Sequence, residues 1–373
     1  MKITITAKLK ILVLEDQQPL FIQTFQAYQN GCNYVSDIVH ETHNLTQAKL
    51  HNLTYEELRS TYGLRSQMAQ SVMKTVIASY KSAKENRHDW SLVRYKRPVY
   101  DLVWNRDYSL VNGRFSINTL EGRLKVPFET KGMEHFFDGS WSFGTAKLVY
   151  KKGKFFLHIP MTKEVSDSDL QSIRNVVGVD FGLNFLATTF DSKDKTQFFK
   201  GRSIKDKRGQ YKRVRKSLQQ RGTKSARRRL KKIGDRENRW MTHVNHALSK
   251  ALVGQAGENS LIVLENLEGV RATTEKVRKQ DRWYTVSWAF YQLRQMIEYK
   301  AKMNQSTIIA VDPAYTSQTC PKCGHTEKAN RNKKKHIFEC QTCQYTSNDD
   351  RIGAMNLHRK GIEYLVQELS QHA

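Results

Sequence analysis

The arrangement of apolar and polar residues changes character along the chain. Residues 1–14 alternate between apolar and polar side chains, which is typical of a β-strand with one buried face. Over 15–87 the apolar residues recur at helical spacing, as in Leu64, Met68 and Val72. The pattern therefore predicts a strand followed by a helical segment.

Residues 88–170 are predicted to be rich in β-structure. Short runs of branched and aromatic residues alternate there with turn sequences such as Asn112-Gly113 and Lys152-Gly153. Antiparallel strands joined by tight turns favour a small β-barrel, although a generic β-rich domain fits the same pattern.

From residue 171 onward the pattern becomes α/β. Two buried strands, Asn175–Asp180 and Ser260–Glu265, each end in an acid, and a long basic helical stretch lies between them at about 202–255. The last segment is predicted to be helical from Asp350. The whole chain is therefore expected to be a multidomain α+β protein.

Charge narrows the choice of partner. Lysine and arginine outnumber aspartate and glutamate by 62 to 36, so the 373-residue chain has a formal net charge of +26. A surplus of this size favours a polyanionic partner, because each neutralised phosphate releases counterions. Membranes are the competing polyanion, but no apolar run reaches the roughly 20 residues of a bilayer span, and no signal peptide is evident. We therefore expect a nucleic-acid partner, no membrane association and a cytoplasmic location.

Four of the five cysteines form two C-x-x-C pairs, in which Cys320 precedes Cys323 and Cys340 precedes Cys343. Two such pairs can supply the four thiolates of a closed tetrahedral zinc site, and their separation is typical of a zinc ribbon. We predict one structural Zn²⁺ here. A pair of redox dithiols is the weaker alternative.

The residues that follow the two cysteine pairs differ. Gly324 can supply the left-handed backbone that such a turn needs, whereas Gln344 stands at the matching place after the second pair and is predicted to make a less favourable turn. The fifth cysteine, Cys32, is predicted to be an ordinary buried thiol.

Three acids stand where rigid elements begin or end. Asp180 and Glu265 end predicted strands and Asp350 begins the last helix, so all three can converge at one edge of a sheet. Gathered carboxylates repel one another unless cations lie between them, and two Mg²⁺ about 4 Å apart would serve phosphodiester hydrolysis. Each acid alone also fits a capping or surface role. Position barely separates Asp350 from Asp349.

Between residues 202 and 239 lie seventeen lysines and arginines but three acids. A helix this basic can follow a phosphate backbone, and such contacts position a nucleic acid without specifying its sequence. A solvated charged face is the alternative. The candidate nucleic-acid contacts, which include two in the cysteine-rich region, are Arg202, Lys212, Arg213, Arg215, Lys216, Arg227, Arg228, Arg229, Lys231, Lys232, Arg331 and Lys333.

Four segments together resemble the TnpB family of transposon-encoded RuvC-like nucleases, relatives of type V CRISPR effectors. VVGVDFGL (176–183) is similar to its first nuclease motif and VLENL (263–267) to its second. VDPAYTSQTCPKCGH (311–325) resembles the run into its zinc ribbon, and NDDRIGAMN (348–356) its third motif. The last resemblance assigns the third catalytic acid to Asp350.

The resemblance implies a domain organisation. A β-barrel wedge domain would comprise 1–14 and 88–170, with a helical recognition domain over 15–87 inserted in it. An RNase H-like (RuvC) nuclease domain would follow over 171–373, with the zinc ribbon inserted at 315–346.

The resemblance also implies an activity, which is RNA-guided cleavage of double-stranded DNA by a monomer bound to a guide RNA from the transposon end. A short adjacent DNA motif would license the target, while base pairing reads the rest. The alternatives are a guided DNA-binding protein that does not cut and an unguided zinc-ribbon nuclease or transposase accessory protein. Ile352 stands where the family usually has Asn, and Gly353 replaces a common Ala. The surroundings of Asp350 are therefore expected to differ from the family pattern.

Overall fold

The chain forms two compact units, Lys2–Glu164 and Val165–Ala373. Both units combine helices with β-sheet, so the chain is a mixed α and β protein, as its pattern predicted. The computed structural model describes residues 2–97, 99–182, 185–266, 290–333 and 335–371.

The helical segment of the first unit consists of three helices. They are α1 (Gln18–Thr42), α2 (Gln47–Ser60) and α3 (Ser66–Glu85). The residues spaced four apart along α3 face inward, where Met68 and Val72 are fully buried. This burial agrees with the helical period read from the sequence.

The strands of the first unit are β1 (Lys2–Ile11), β2 (Val99–Leu102), β3 (Tyr108–Val111), β4 (Arg114–Thr119), β5 (Gly122–Val126), β6 (Phe128–Glu129), β7 (Ser142–Phe143), β8 (Ala146–Lys151) and β9 (Lys154–Glu164). They form one sheet of order β2-β8-β9-β1-β6, with β7 paired to β9, and a second sheet of order β3-β4-β5. The hairpins β3–β4 and β8–β9 turn at Asn112-Gly113 and Lys152-Gly153, whose backbones are left-handed. Closure of these strands into a barrel stays a prediction.

An aromatic-rich core holds the first unit together. The rings of Phe21 and Phe25 on α1 pack on Phe155 of β9, with centroids 5.6 and 6.2 Å away. Cys32 lies in the same core, and burial raises the pKa of its thiol well above the ordinary range. It is the buried thiol that the sequence predicted.

The second unit is built on a five-stranded sheet. Its strands are β10 (Asn175–Asp180), β11 (Phe185–Asp191), β12 (Thr196–Lys200), β13 (Ser260–Glu265) and β14 (Thr307–Val311). The order is β12-β11-β10-β13-β14, in which β10, β13 and β14 run parallel and the other two pairings are antiparallel. Two strands that end in acids therefore lie side by side at the centre.

Helices cover both faces of this sheet. Helices α5 (Lys224–Ala256), α6 (Phe290–Met303) and α7 (Asp349–Gln371) pack on the sheet, and α4 (Arg202–Arg221) packs mainly on α5. Alternate residues of β10 point to opposite faces, so Val177 packs in the cluster that includes residues of α5 and α6, while Val176 packs with Leu357 of α7. The acids at the strand ends thus lie between two helical layers.

The basic stretch predicted as one helix over about 202–255 is two helices. The first ends at Gly222, which has a left-handed backbone with φ of +63° and donates its N–H to the Leu218 carbonyl. The second begins after Thr223, whose hydroxyl accepts the Ala226 N–H. A Gly-Thr pair is a helix stop followed by a helix start, and the continuous run of basic residues masked it.

Helix α7 lies unusually close to the sheet. A Cβ at Gly178 of β10 would lie 2.1 Å from the Ala354 carbonyl oxygen, and a Cβ at Gly361 of α7 would lie 2.7 Å from a methyl of Val176. Backbone and side-chain atoms fill the space that either side chain would need. The two glycines therefore allow the close contact that fixes the position of α7.

The cysteine-rich segment between β14 and α7 forms a small three-stranded sheet. Its strands are β15 (Arg331–Asn332), β16 (Ile337–Glu339) and β17 (Thr346–Asn348), in the order β15-β16-β17. We call residues 320–348, from the first cysteine to the end of β17, the ribbon. In the part of the chain that the structure describes, no helix is both long and apolar enough to span a bilayer.

Candidate zinc site and acidic cluster

The four paired cysteines lie together as one set of donors. All four sulfur atoms are within 4.8 Å of one another, and the Sγ–Sγ distances are 3.6 Å from Cys320 to Cys343 and 3.5 Å from Cys323 to Cys340. Zn–S bonds of about 2.3 Å in a tetrahedron separate the sulfurs by about 3.8 Å. The donor set therefore fits one zinc ion, with every coordination position taken by protein.

Both cysteine pairs form the same turn. The N–H of Cys320 donates to the His325 carbonyl and that of Cys340 to the Tyr345 carbonyl, both at 2.9 Å. Gly324 and Gln344 hold matching left-handed positions, with φ of +77° and +59°. The second turn thus places a glutamine in the conformation that favours glycine, as the sequence predicted.

The three acids predicted to bind metal meet at one edge of the five-stranded sheet. Parallel pairing sets Val179 beside Leu264, so Asp180 and Glu265 end their strands as neighbours. Helix α7 crosses the sheet with its first turn at the same edge. There, Oδ1 of Asp350 would lie 4.0 Å from a Cβ at Gly182. Leu183 and Leu267, which end the first two motifs, lie outside the described residues.

The pKa values of these acids show that they share a poorly solvated environment. The pKa of Asp180 is raised well above its ordinary value, first by burial and then by the Glu265 and Asp350 carboxylates. Burial also raises the pKa of Glu265 and of Asp350. Oxygen donors that repel one another in this way fit divalent cations, which would remove the repulsion.

The Glu265 carboxylate is held by the loop that leads into the ribbon. The Thr316 hydroxyl donates to Oε1 of Glu265 at 3.1 Å. The buried Asn356 amide, one and a half turns after Asp350 on α7, donates to the carbonyls of Thr316 and Thr319 at 2.7 and 2.8 Å. Helix α7 therefore supplies one acid directly and fixes the support of another.

The two adjacent acids of α7 have different surroundings. Asp349 is fully buried, and its Oδ2 accepts Nε–H of Arg331 at 2.9 Å, while Nδ1 of His336 lies 3.4 Å from its Oδ1. Asp350 acts more strongly than Asp349 to raise the pKa of Asp180. Asp349 is therefore held by the ribbon, and Asp350 is the acid of the two that interacts more strongly with Asp180.

Arg331, predicted as a nucleic-acid contact, is engaged inside the protein. Besides its ion pair with Asp349, its Nη1 donates to the Ser317 hydroxyl at 2.8 Å. Its positive charge lowers the pKa of all three clustered acids and so partly opposes the effect of burial. The sequence did not indicate this role, because the partner acid lies eighteen residues away, beyond the second cysteine pair.

The two departures from the family pattern have structural reasons. Ile352 is fully buried and packs against Cys320, Phe338 and Cys340 in the apolar core of the ribbon. A Cβ at Gly353 would lie 2.9 Å from Cγ of Asp180 and 3.0 Å from its Oδ2. The missing side chain at position 353 therefore makes room for the Asp180 carboxylate.

Nine of the twelve predicted nucleic-acid contacts are exposed cations, while Lys212, Arg215 and Arg331 are half-buried. Arg215 forms an ion pair with the buried Glu237 at 2.6 Å. On α5, a cleft of about 420 Å³ is lined by Arg228, Arg229, Lys232, Ile233 and Arg236. Arg236 was not among the predicted contacts, although its spacing of one helical turn from Lys232 could have indicated it.

Two family models match the second half of the chain. One is OrfB_IS605, described as a probable transposase, over residues 158–271. The other is the Cas12f1-like TNB domain over residues 290–357, which includes the four cysteines and Asp350. The two matches together contain all three clustered acids.

Individual proteins agree with these matches. The CRISPR-associated endodeoxyribonuclease Cas12f1 of Syntrophomonas palmitatica is 27% identical over 281 residues, covering 69% of this chain and 55% of that protein. A TnpB-like protein of Methanocaldococcus jannaschii is 31% identical over 132 residues, covering 35% of this chain and 46% of that one. The chain thus matches about half the length of each relative.

The fold is similar to that of a solved Cas12f1, determined by cryo-EM in a complex with sgRNA and target DNA. The match covers 96% of this chain and 99% of that one, with a TM-score of 0.65 and 14% sequence identity. Because only 14% of the residues are identical, this match shows a similar fold.

Proposed function

We propose that this chain, which belongs to the TnpB-like family, is an RNA-guided endonuclease that cuts double-stranded DNA. The observation that carries the proposal is the meeting of Asp180, Glu265 and Asp350 at one sheet edge, where burial raises the pKa of each. Asp350 is buried and the other two acids are partly buried, and a cluster of poorly solvated acids that repel one another costs stability unless it binds cations, so its presence favours metal-dependent chemistry.

Asp180, Glu265 and Asp350 would hold two Mg²⁺ ions, which supply a bound nucleophilic water and stabilise the leaving oxygen of a phosphodiester. Among the described residues, sets of ligand atoms within 4.8 Å of one another are the four cysteines and His336 with Asp349 and Asp350. The three proposed ligands are spread more widely, which suits two ions better than one.

Several side chains prepare this arrangement. Thr316 orients the Glu265 carboxylate, and the Arg331 guanidinium favours the ionised form of all three acids. The proposed zinc ion has no open coordination position and therefore acts on the fold of the ribbon.

The proposed partners are a guide RNA from the transposon end and a double-stranded DNA target with a short adjacent motif. Exposed cations of α4 and α5 would contact phosphates of one or both nucleic acids. We further propose a monomeric ribonucleoprotein of the bacterial or archaeal cytosol. Its wedge, recognition and RuvC domains would follow the boundaries given by the resemblance, with the zinc ribbon inserted in the last.

The test uses the full chain purified with its bound RNA, which is then sequenced to define the guide and a matching target. With Mg²⁺ the complex should cut that target, and Asp180→Asn or Glu265→Gln should lower the cleavage rate by at least about a thousandfold, in line with the loss of a metal ligand. Target affinity should stay within a few-fold of wild type.

Two other outcomes identify the alternatives. A wild-type complex that binds its target but never cuts it with Mg²⁺ or Mn²⁺ would be a guided DNA-binding protein. An RNA-free preparation that cuts DNA at the wild-type rate would be an unguided nuclease.

A further inference from the structure

Tyr315 has a backbone conformation that its side chain opposes. It lies in the loop between β14 and the ribbon with φ of +62°. Among the described non-glycine residues with positive φ, it is the only tyrosine, phenylalanine or tryptophan. Bulky residues rarely adopt the left-handed conformation, and such strain concentrates at functional sites.

The surrounding hydrogen bonds hold Tyr315 in this conformation. Its carbonyl accepts the N–H groups of Gln318 and Thr319 at 2.9 and 3.0 Å, and the Thr319 hydroxyl at 3.1 Å. The carbonyls of Thr316 and Thr319 are in turn bound by the buried amide of Asn356. The loop is therefore a rigid support whose shape does not depend on the phenol ring.

Most of the Tyr315 side chain lies outside the packed core. Tyr315 is 63% exposed, and the three residues before it are also exposed. Within the described part of the chain, no aromatic or cation–π contact involves it. A strained backbone that holds an aromatic ring in solvent is unfavourable for folding alone, so the ring is positioned for a partner.

The position of the ring indicates which partner. The next residue, Thr316, donates its hydroxyl to Glu265, so Tyr315 is one residue from the support of a proposed metal ligand. Thr316 itself is buried whereas Tyr315 is exposed, so the tyrosine lies at the surface of the loop that supports the acidic cluster. Stacking on aromatic side chains binds unpaired bases with little sequence preference.

We propose that Tyr315 stacks on an unpaired base next to the scissile phosphate and so positions the DNA strand for cleavage. This inference rests on the proposed nuclease function. Tyr315 binds substrate through its ring face and takes no part in proton transfer. The hydroxyl is therefore dispensable and the ring is not.

The test compares Tyr315→Phe and Tyr315→Trp, which keep a ring, with Tyr315→Asn, which removes the ring but tolerates the left-handed backbone. Each RNA-loaded complex is given a target whose cut strand carries 2-aminopurine near the cleavage position. With Tyr315→Asn, kcat/KM should fall about 5- to 100-fold, which corresponds to the free energy of stacking one base on an aromatic ring. The quenching of 2-aminopurine fluorescence should also be lost. The two ring-bearing variants should stay within about threefold of wild type.

Tyr291→Asn is the matched control, since Tyr291 is 74% exposed on α6. It should leave cleavage and quenching unchanged. Tyr315→Asn should melt at or above the wild-type temperature, because it relieves strain, so a loss of activity would not reflect unfolding.

The proposal would be overturned if Tyr315→Asn cleaved DNA and quenched 2-aminopurine as the wild type does. It would also be overturned if Tyr315→Phe or Tyr291→Asn lost as much cleavage activity and quenching as Tyr315→Asn. If the wild-type complex binds target without cutting, the proposed nuclease function fails. The quenching in the bound complex then decides the role of Tyr315, because its loss in Tyr315→Asn supports stacking and its retention refutes it.

Discussion

At the scale of single residues, the place of the Asp180 carboxylate depends on the absence of a side chain at position 353. Gly353→Ala would put a methyl group within about 3 Å of that carboxylate, so the Asp180 side chain must turn away. Misplacing a reacting group by about 1 Å can cost a hundredfold in rate. We expect Gly353→Ala to lower DNA cleavage by roughly ten- to a hundredfold, measured under single-turnover conditions.

Gly254→Ala is the control for this substitution. Gly254 also lies within a helix, and a Cβ there meets nothing within 4 Å. It should leave the cleavage rate unchanged and raise the melting temperature slightly, because alanine favours the helix. Equal rates for Gly353→Ala and wild type would show that Asp180 can bind metal in another rotamer.

The raised pKa of Asp180 has a consequence for stability. A carboxylate whose pKa is higher in the folded state than its ordinary value of about 3.9 stabilises the fold at low pH, and this contribution is lost as the pH rises through the raised value. Without metal, the full chain should therefore melt at a lower temperature at pH 8 than at pH 5. Asp180→Asn should raise the melting temperature at pH 8 in EDTA by a few degrees.

Mg²⁺ supplies the control for this prediction. Because the ion binds the folded wild-type cluster, it should stabilise wild type at pH 8 and Asp180→Asn much less. With Mg²⁺, the difference in melting temperature between Asp180→Asn and wild type should therefore become smaller than in EDTA, or change sign. A lower melting temperature for Asp180→Asn in EDTA would contradict the electrostatic account of this cluster.

At the scale of elements, the ribbon and the first turns of α7 pack together as one structural unit. Ile352, two residues after Asp350, packs on the cysteine turns, and Arg331 of the ribbon is paired with Asp349. Loss of the proposed zinc ion should therefore disturb Asp350, although an ion enclosed by four thiolates would take no part in the chemistry. Metal analysis of the wild type should give one zinc per chain. We expect Cys323→Ser to lose this zinc and to lower cleavage roughly ten- to a hundredfold, as supporting residues of metal sites do.

Cys343→His tests whether zinc or the cysteine matters. A Cys₃His set binds zinc as a Cys₄ set does, so this variant should keep the metal and most of the cleavage activity. If Cys323→Ser lost zinc but cut DNA at the wild-type rate, the ribbon would act independently of the acids.

The elements also show what sequence could predict. The cysteine turns and the acids at strand ends could be predicted from the sequence, because each depends on residue types at fixed local spacing. The ion pair of Arg331 with Asp349 and the clamp of Asn356 on the Thr316 loop were not, because both depend on how α7 lies against the ribbon. The end of α4 at Gly222 could also have been predicted from the Gly-Thr pair, but the basic residues continue on both sides of that pair and suggest a single helix.

At the scale of the whole molecule, the charge of +26 predicts binding that depends strongly on salt. Removing one cation that binds a phosphate should reduce the slope of log affinity against log salt concentration by about 0.7 for single strands and 0.9 for duplexes. Replacing Arg228 and Lys232 of the α5 cleft by Gln should therefore reduce the magnitude of that slope by about 1.4 for single-stranded RNA, measured by a binding titration at several salt concentrations.

Arg215→Gln is the control at the same scale. It removes one positive charge, but that charge is paired with the buried Glu237. The variant should leave the salt slope nearly unchanged and lower the melting temperature, since a buried carboxylate is left without its partner. A slope change equal to that of one exposed cation would show that Arg215 also binds nucleic acid.

The order of the acids along the chain has a consequence during protein synthesis. Asp180 and Glu265 leave the ribosome early, whereas Asp350 follows the ribbon and reaches them only when α7 has folded back over β10. A growing chain therefore carries at most two of the three acids until α7 has been made. Under the proposed function, a ribosome-bound or prematurely terminated chain could bind nucleic acid through α4 and α5 yet be unable to cut it.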